Sequence, residues 1–521
     1  MSTPQLLCEN LSVQYFDRDE PTLKKINLTI NQGESVLFLG PSGCGKSTLL
    51  YTLSGIIPRS IHAWIKGNVK APQNVGTLFQ DPDSQFCMLE IADEIAFSLE
   101  NKAIPPEKMP DRIASLKKQM DLDHLPDHTQ INTLSGGLKQ RLALAAVLAM
   151  EPEVLFCDEP TAQLDPAGTR QILNDLSQLK GKHTLVLVEH KLDGLMDWID
   201  RVILFSPEGK IIDEGAPLPL FRRNETAITR YGIWKPKLWP ATWESIIKGK
   251  HPEKVEQWKP LPKSSPTEKE PLLTLSEGAL YHRKDKALWQ KVNLTVYPGE
   301  WVVLLGPNGA GKSSLLQTLI GIHSLSSGKL SYSFTQSDKE LKPEILSQHI
   351  GFVFQNPEHQ FITDRVEDEV AFIGKLEKWP EKEITEKVEK LLYDFRLLPL
   401  REANPYTLSV GQKRRLSVAS MLLKEYKLLL LDEPTFGQDA TTTEELLERL
   451  EILRQRGTAI IMATHDVELA YRHATKAAVL AEGQLLFSGP PEELFTHTEI
   501  LKQARLERPL YLEYQHRRNF G

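Results

Sequence analysis

Residues 31–56 read NQGESVLFLGPSGCGKSTLLYTLSGI, and residues 297–322 read YPGEWVVLLGPNGAGKSSLLQTLIGI, a repeat at an offset of 266 residues. Each stretch contains the pattern GxxxxGK[ST] directly after an apolar run. Glycines in this pattern let consecutive backbone N–H groups curl around phosphate oxygens, with a helix N-terminus beneath them. The sequence therefore predicts two phosphate-binding loops (P-loops), each between a buried strand and a helix.

A second pair of stretches indicates that a whole domain is duplicated. LFCDEPT (Leu155–Thr161) returns as LLLDEPT (Leu429–Thr435) at an offset of 274 residues, which predicts an insertion of about eight residues within 331–342 of the second copy. The predicted organisation is a first domain at 1–230, a linker at 231–270, a second domain at 271–505 and a basic, aromatic tail at 506–521. The linker is rich in proline and lysine, typical of a surface segment, and we expect its tryptophans to hold it against a neighbouring domain.

Each copy has the alternating strand and helix pattern of an α/β domain. Ser35–Leu39, Val154–Cys157 and Thr184–Val188 are short apolar runs typical of buried strands. Leu138–Met150 and Thr169–Leu179 are longer, mixed segments typical of helices. Alternating strands and helices favour a mostly parallel sheet, so the predicted fold class is α/β with two tandem P-loop NTPase domains.

Composition excludes several other classes of protein. The 521 residues carry a net charge of −7, which argues against a nucleic-acid binder. The four cysteines show no metal-ligand spacing, so a disulfide scaffold or zinc domain is not expected and a reducing compartment fits best. The N-terminus lacks a signal-peptide layout and no apolar run approaches the roughly 20 residues of a membrane span. We expect a chain that does not cross a membrane by itself.

The P-loops predict nucleotide binding, with Lys46 and Lys312 bridging the β- and γ-phosphates. The loop residues expected at the nucleotide are Gly40, Pro41, Ser42, Gly43, Cys44, Gly45, Lys46, Ser47 and Thr48 in the first copy and Gly306, Pro307, Asn308, Gly309, Ala310, Gly311, Lys312, Ser313 and Ser314 in the second.

A magnesium ion is expected beside each nucleotide. The hydroxyls of Ser47 and Ser313 are candidate ligands, because this P-loop position ligates Mg²⁺. Asp158 and Asp432 each end an apolar strand and would supply the second contact, directly or through water.

An acidic residue follows each of these aspartates. Glu159 and Glu433 are the candidate catalytic residues, expected to orient or deprotonate the attacking water.

The stretch before each acidic strand narrows the choice of family. LSGGLKQR (Leu134–Arg141) and LSVGQ (Leu408–Gln412) stand at matching places, and the first resembles the signature of ABC ATPases. The motifs arrive in the family's order over nearly all of both copies, and the chain is identified as a member of this family. The resemblance implies a helical signature subdomain in each domain.

The resemblance assigns further roles. Gln80 and Gln355 look like the Q-loop glutamines, which contact the nucleotide and its metal, and His190 and His465 look like the catalytic switch histidines. Ala162–Asp165 and Phe436–Asp439 resemble the D-loops. In this family an aromatic residue stacks on adenine, and Tyr15 and Tyr281 each lie 25 residues before the first P-loop glycine.

The family also implies head-to-tail pairing of the two domains. Ser135, Gly136 and Gly137 would then meet the nucleotide held by Lys312, and Ser409 and Gly411 the nucleotide held by Lys46. Val410 stands where the signature has its first glycine, and a β-branched residue limits close backbone approach. We predict two hydrolysing sites, with the Lys46 site the slower.

The segments after the Q-loops resemble one branch of the family. FQDPDSQF (Phe79–Phe86) with ADEIAF (Ala92–Phe97) returns as FQNPEHQF (Phe354–Phe361) with EDEVAF (Glu367–Phe372). This pattern looks like the ATPases of energy-coupling factor (ECF) importers of vitamins or metal ions. In those importers the following helix docks on a membrane coupling protein, and a small membrane protein captures the substrate. The resemblance implies an importer subunit at the cytoplasmic face of the cell membrane, one chain per transporter; a fused pair fits the hydroxymethylpyrimidine (HMP)/thiamine group.

Two alternatives stay open. A ribose-type sugar importer ATPase is also a fused pair, although it usually departs from the P-loop consensus in its second copy, which is intact here. A soluble ribosome-associated ABC translation factor is the alternative of another class. It would be expected to carry a long, highly charged helical linker, which residues 231–270 do not resemble.

Overall fold

The computed structural model of the protein describes residues 3–520 except 17, 19, 163, 262–269, 284, 285 and 336–340. Gln163 of the predicted D-loop and the middle of the predicted insertion lie outside the described residues. The chain divides into two compact units, Met1–Lys237 with Asp439–Thr441 and Leu238–Gln438 with Thr442–Gly521. Each unit is described by itself below.

The first unit alternates strands and helices. Its strands are β1 (Pro4–Tyr15), β2 (Leu23–Asn31), β3 (Ser35–Leu39), β4 (Ala63–Lys70), β5 (Val75–Leu78), β6 (Val154–Asp158), β7 (Thr184–Val188), β8 (Arg201–Phe205) and β9 (Ile211–Gly215). Its helices are α1 (Lys46–Leu53), α2 (Ile56–Arg59), α3 (Ile91–Asn101), α4 (Met109–Gln119), α5 (Gly136–Ala149), α6 (Pro166–Ser177), α7 (Pro217–Arg223) and α8 (Glu225–Arg230).

Two sheets organise the described part of this unit. The larger has the order β5-β6-β7-β3-β8-β9, parallel except for the β8–β9 pair, and the smaller is antiparallel with the order β2-β1-β4. Every residue of β3, β6 and β7 is buried, as expected of central parallel strands covered on both faces. The predicted strands and both predicted helices are confirmed, the helices α5 and α6 each starting two or three residues earlier than expected.

The second unit repeats this plan. Its strands are β10 (Leu273–Arg283), β11 (Lys286–Val296), β12 (Trp301–Leu305), β13 (Ser327–Tyr332), β14 (Ile350–Val353), β15 (Leu428–Asp432), β16 (Ala459–Ala463), β17 (Lys476–Ala481) and β18 (Gln484–Gly489). Its helices are α9 (Trp243–Ile247), α10 (Pro252–Trp258), α11 (Lys312–Leu319), α12 (Pro343–Leu346), α13 (Val366–Leu376), α14 (Glu381–Asp394), α15 (Val410–Met421), α16 (Ala440–Gln455), α17 (Val467–His473), α18 (Pro491–Leu494), α19 (Thr498–Gln503) and α20 (Leu510–Phe520).

The sheets of the second unit match those of the first. Its described strands form a six-stranded sheet of order β14-β15-β16-β12-β17-β18 and a three-stranded sheet of order β11-β10-β13. The β17–β18 pair is antiparallel and the other pairs of the larger sheet are parallel. The α/β fold class predicted from the sequence is confirmed in both units.

The predicted linker is more ordered than its composition indicates. It contains α9 and α10, whose Trp243 and Trp258 rings lie 5.8 Å apart, and Trp258 is buried. Helix α20 of the predicted tail packs against both, with the Arg517 guanidinium 5.0 Å from the Trp243 ring centroid. These segments pack together within the second unit.

Within the part of the chain that the structure describes, no helix combines the length and the apolar character needed to cross a bilayer.

Candidate nucleotide sites

Sheet topology gathers the predicted motifs of the first unit at one edge. The P-loop follows β3, Asp158 ends β6, His190 lies just after β7, and Gln80 lies just after β5. These four strands are neighbours and parallel, so their carboxyl ends meet at the same edge of the sheet. The second unit gathers its motifs in the same way.

Backbone geometry explains the glycine before each P-loop lysine. Gly45 and Gly311 cap α1 and α11 with φ of 98° and 96°, a left-handed conformation that side chains disfavour. A Cβ atom on Gly45 would lie 2.7 Å from a Leu23 methyl group, and one on Gly311 would lie 3.0 Å from the Trp289 ring. Glycine is therefore required by both conformation and space.

The P-loop lysines are buried and turned into their own loops. The Lys46 ammonium donates to the carbonyl oxygens of Gly40 and Pro41, each at 2.9 Å.

The second lysine repeats the arrangement. The Lys312 ammonium donates to Gly306 at 2.8 Å and Pro307 at 3.1 Å. A lysine ammonium beside a glycine-rich loop that ends at a helix N-terminus is an arrangement suited to binding phosphate oxygens.

The predicted metal ligands of the first unit touch each other. The Ser47 hydroxyl donates to one Asp158 oxygen at 2.8 Å, and the Tyr51 hydroxyl donates to the other at 2.7 Å. Burial raises the pKa of Asp158 to about 6, and the neighbouring charge of Glu159 adds to this rise. Hydrogen bonds from the two hydroxyls oppose it.

Glu159 is held by both polar groups expected near it. Its Oε2 accepts a 2.7 Å hydrogen bond from the Gln80 amide, and its Oε1 lies 3.2 Å from His190 Nε2. Burial alone would raise the pKa of Glu159, but the charge and hydrogen bond of His190, aided by Lys46, hold it below its ordinary value. The structure thus brings the side chains of Gln80, Glu159 and His190 together.

The second unit repeats the serine–aspartate and histidine–glutamate contacts. Burial raises the pKa of Asp432 to about 6, against a hydrogen bond from Ser313. The Nδ1 atom of His465 lies 3.2 Å from Glu433 Oε1. Both glutamates, Glu159 and Glu433, have positive φ, 46° and 49°, a strained conformation that concentrates at functional sites.

The two predicted adenine-stacking tyrosines differ in their surroundings. The Tyr15 hydroxyl makes a 3.0 Å hydrogen bond with the Thr48 hydroxyl, which places its half-buried ring beside the P-loop helix. Tyr281 is 40% exposed, and its backbone N–H donates to Ser326. Stacking on adenine remains a prediction for both.

The two signature segments begin their helices differently. Ser135 and Ser409 are the N-cap residues of α5 and α15. Ser409 forms a capping box with Gln412, in which each side chain accepts a hydrogen bond from the other's backbone N–H. The first copy has Leu138 in place of this glutamine, and the Ser135 side chain caps no backbone N–H of α5. Val410 is 43% exposed at the start of α15.

Two buried glutamates that the sequence did not single out hold the loops before α3 and α13. Glu94 accepts the backbone N–H groups of Cys87 and Met88 at 2.9 and 2.8 Å. Glu369 accepts those of Ile362 and Thr363, each at 2.9 Å. The signal for this pair was the DE dipeptide that recurs at matching positions of the two copies.

The geometry places two P-loops, each with an adjacent carboxylate pair and histidine, on a duplicated α/β core. Against known protein families, the ABC transporter model matches residues 23–162 and 289–436. The chain belongs to the ABC transporter family. Its two ABC domains make it an ATP-binding subunit and an ATPase coupled to transport.

Similar ABC proteins are known from several microbes. The "Putative HMP/thiamine import ATP-binding protein YkoD" of Bacillus subtilis (strain 168) is 39% identical over 98% of this chain and 96% of that protein. A "Putative ABC transporter ATP-binding protein" of Methanosarcina acetivorans is 34% identical over 98% and 89%. The solved structure of cbiO1 from Clostridium perfringens, described as part of the ABC transporter complex cbiONQ, is 30% identical, covering 48% of this chain and 99% of that one with a TM-score of 0.40.

Proposed function

We propose that this ABC ATPase is the energy-coupling subunit of an ECF-type importer in the HMP/thiamine group, working at the cytoplasmic face of the cell membrane. The observation that carries the proposal is the 39% identity, over nearly the full length of both chains, to a relative named for HMP/thiamine import. Neither a sugar importer nor a translation factor appears among the names of the relatives described above.

The exposed apolar residues before α3 and α13 support a membrane partner. Leu89 is 77% exposed and Ile362 is 67% exposed, and Cys87 is also exposed. The buried carboxylates of Glu94 and Glu369 hold these loops through backbone N–H groups. We propose that each loop with its following helix contacts an integral membrane coupling protein, while a small membrane protein captures the substrate.

Mg²⁺ fits the donor set of each site. It would be held by Ser47 and Asp158 in the first unit and by Ser313 and Asp432 in the second, with the Q-loop glutamines as further candidates. These are oxygen donors, which Mg²⁺ prefers, and a serine hydroxyl already meets an aspartate in both units. When bound, the ion would neutralise charge on the β- and γ-phosphate oxygens.

The protein's own residues would carry the rest of the reaction. Lys46 and Lys312 would leave the carbonyls of their loops to bind the terminal phosphates. Glu159 and Glu433 would orient a water molecule and take its proton as it attacks the γ-phosphorus and the bond to the β-phosphate oxygen breaks. His190 and His465 would hold these glutamates and the departing phosphate. A single chain supplies both sites.

Purification of the full chain from detergent-solubilised native membranes tests the proposal. We expect mass spectrometry to identify one coupling membrane protein and one small capture protein. The matched control replaces Leu89 and Ile362 with serine, which should lose both proteins while ATP turnover is kept. Recovery of ribosomes or of a sugar-permease pair would contradict the ECF assignment.

A further inference from the structure

At one buried position of the signature helix, one repeat has a neutral side chain and the other a charged one. In the first repeat this position is Gln140 on α5, 2% exposed, whose amide donates to the Phe79 carbonyl oxygen at 3.4 Å. In the second it is Arg414 on α15, 1% exposed, whose guanidinium donates to Phe354 at 2.6 Å and also to Gln355. Both of these acceptors are backbone carbonyls of the Q-loop.

Arg414 is an unusual residue to bury. Its acceptors are neutral carbonyls, and its Nε has no partner among the described residues. Burial lowers its pKa to about 10, against the attraction of Glu433 and Asp432, so the side chain is charged at neutral pH. Removing a guanidinium from water is costly, and neutral acceptors compensate for only part of that cost. The planar fork is, however, well suited to hold two carbonyls at once.

The first repeat holds its Q-loop in another way. There the Gln80 side chain is bound to Glu159, while the backbone of the loop receives one long hydrogen bond from Gln140. A two-pronged, charge-assisted contact is stronger than a single neutral one at 3.4 Å. Each repeat also has a lysine–carboxylate pair between these segments, Lys139 with Asp83 and Lys413 with Glu358. The two repeats therefore differ at the position of Gln140 and Arg414, where the joint between Q-loop and signature helix is tighter in the second repeat.

We propose that Arg414 is a positioning residue that fixes the Q-loop of the second repeat to the first turns of its signature helix, so that Gln355 and Ser409 move as one piece. The first repeat has a looser joint, in which Gln80 swings with Glu159. The consequence for ATP hydrolysis rests on the proposed nucleotide role of Gln355; the mechanical joint does not.

Hydrogen exchange of the nucleotide-free full chain tests the joint directly. Arg414→Gln, which installs the residue of the first repeat, should speed exchange of the amides next to Gln355, in a peptide spanning 353–361, by about 10-fold. This part of the loop loses its anchor, while Gln360 at the far end stays bound to Ser417 and Ser420. A peptide spanning 78–86 is the internal control and should not change. Gln140→Arg is the mirror variant and should slow exchange in 78–86. Unchanged exchange in 353–361 would overturn the proposal.

A second measurement distinguishes two effects of Arg414: holding the Q-loop in place, and placing a positive charge near Asp432. In a Glu159→Gln background, which leaves the Lys312 site active, the Mg²⁺ concentration for half-maximal ATP turnover is compared with and without Arg414→Gln. If Arg414 positions Gln355, Arg414→Gln should raise this Mg²⁺ concentration by about 10-fold. Removal of a positive charge beside Asp432 would lower it, and that result would overturn the proposal.

Arg414→Lys keeps the charge and can reach one carbonyl, so its exchange in 353–361 should lie between those of the wild type and Arg414→Gln. Exchange equal to the wild type would show that charge alone suffices and would overturn the proposal. This variant also covers the case in which Arg414→Gln fails to fold. Neither measurement involves a membrane partner, so a failed purification from membranes leaves the proposal unaffected.

Discussion

The Gln80 amide donates a 2.7 Å hydrogen bond to the same Glu159 carboxylate that His190 approaches at 3.2 Å. Both oxygens of the candidate base therefore have a partner. A water molecule poised for attack on ATP needs one of these oxygens as its acceptor. We expect Gln80 to leave Glu159 when nucleotide and metal arrive, which would free one acceptor oxygen for this water.

Replacing the two catalytic glutamates singly should reveal unequal sites. Each of Glu159→Gln and Glu433→Gln should lower turnover at its own site by about 100-fold or more, because glutamine cannot take the proton from water. Glu433→Gln should remove the larger share of total ATP turnover, since the Lys46 site is predicted to be the slower one. Steady-state phosphate release measures both. Equal losses would contradict the asymmetry attributed to Val410.

The capping box at Ser409 should stabilise the second unit, and the first repeat, which lacks the box, allows the reverse substitution. Gln412→Leu should lower the free energy of unfolding of the second unit by about 1 kcal/mol, because the Ser409 N–H loses its acceptor. Leu138→Gln supplies the missing partner to Ser135 and should stabilise the first unit by a similar amount. Urea unfolding measures both changes. A neutral Gln412→Leu would show that water replaces the box without cost.

Glu189 ties the histidine segment to the loop after β6. Its carboxylate accepts the Thr161 N–H at 2.9 Å and hydroxyl at 2.5 Å, and the His190 N–H at 2.9 Å. Glu189→Ala should lower the free energy of unfolding of the first unit by about 2–4 kcal/mol, because buried donors lose their acceptor. ATP turnover at the Lys46 site should fall with it. Thr464, the matching residue of the second repeat, offers the control Thr464→Ala, for which about 1 kcal/mol or less is expected.

Asp175 makes the stability of the first unit depend on pH. Burial raises the pKa of Asp175 to about 6; the positive charge of Arg141 opposes this rise and the negative charge of Asp121 adds to it. The Oδ2 atom of Asp175 has no hydrogen-bond partner among the described residues. The folded-state pKa exceeds the unfolded value, so the stabilisation is complete below pH 4 and is lost as pH rises through 6.

Asp175→Asn should therefore raise the free energy of unfolding at pH 7.5 by about 1 kcal/mol, a figure discounted for partial exposure, and change it little at pH 4. The exposed Asp197 offers the control Asp197→Asn, which should change the free energy of unfolding little at either pH value. Urea unfolding at both pH values provides the comparison. An equal effect of Asp175→Asn at both would contradict the assignment.

The strands and P-loops were predictable because their signals are local. β3 and β7 match their apolar runs residue for residue, and the glycines of the P-loops are required by backbone geometry within the motif itself. The resemblance to ABC ATPases singled out Gln80, Glu159 and His190 one by one, without predicting that they meet. Their convergence follows from strand order, which places three separate chain segments at one sheet edge.

Other features depend on contacts between distant segments. Tyr51 lies one turn beyond the P-loop but reaches Asp158 on a separate strand, and nothing in its neighbouring residues indicates this. The prolines and lysines of the linker concealed α9 and α10, whose tryptophans are covered by each other and by α20. Arg414 is one of several arginines in the sequence, and only the packing of α15 against the Q-loop marks it out.

We propose that one chain carries two working ATP sites. Equilibrium binding of ATP in the presence of Mg²⁺ to the purified full chain, combined with single-turnover hydrolysis, tests it directly. We expect two ATP molecules per chain for the wild type, one for Lys46→Ala and one for Lys312→Ala, and none for the double variant, with hydrolysis in each single variant confined to the remaining P-loop. A wild-type chain that binds one ATP, or ATP binding unaffected by either lysine substitution, would contradict the presence of two working sites.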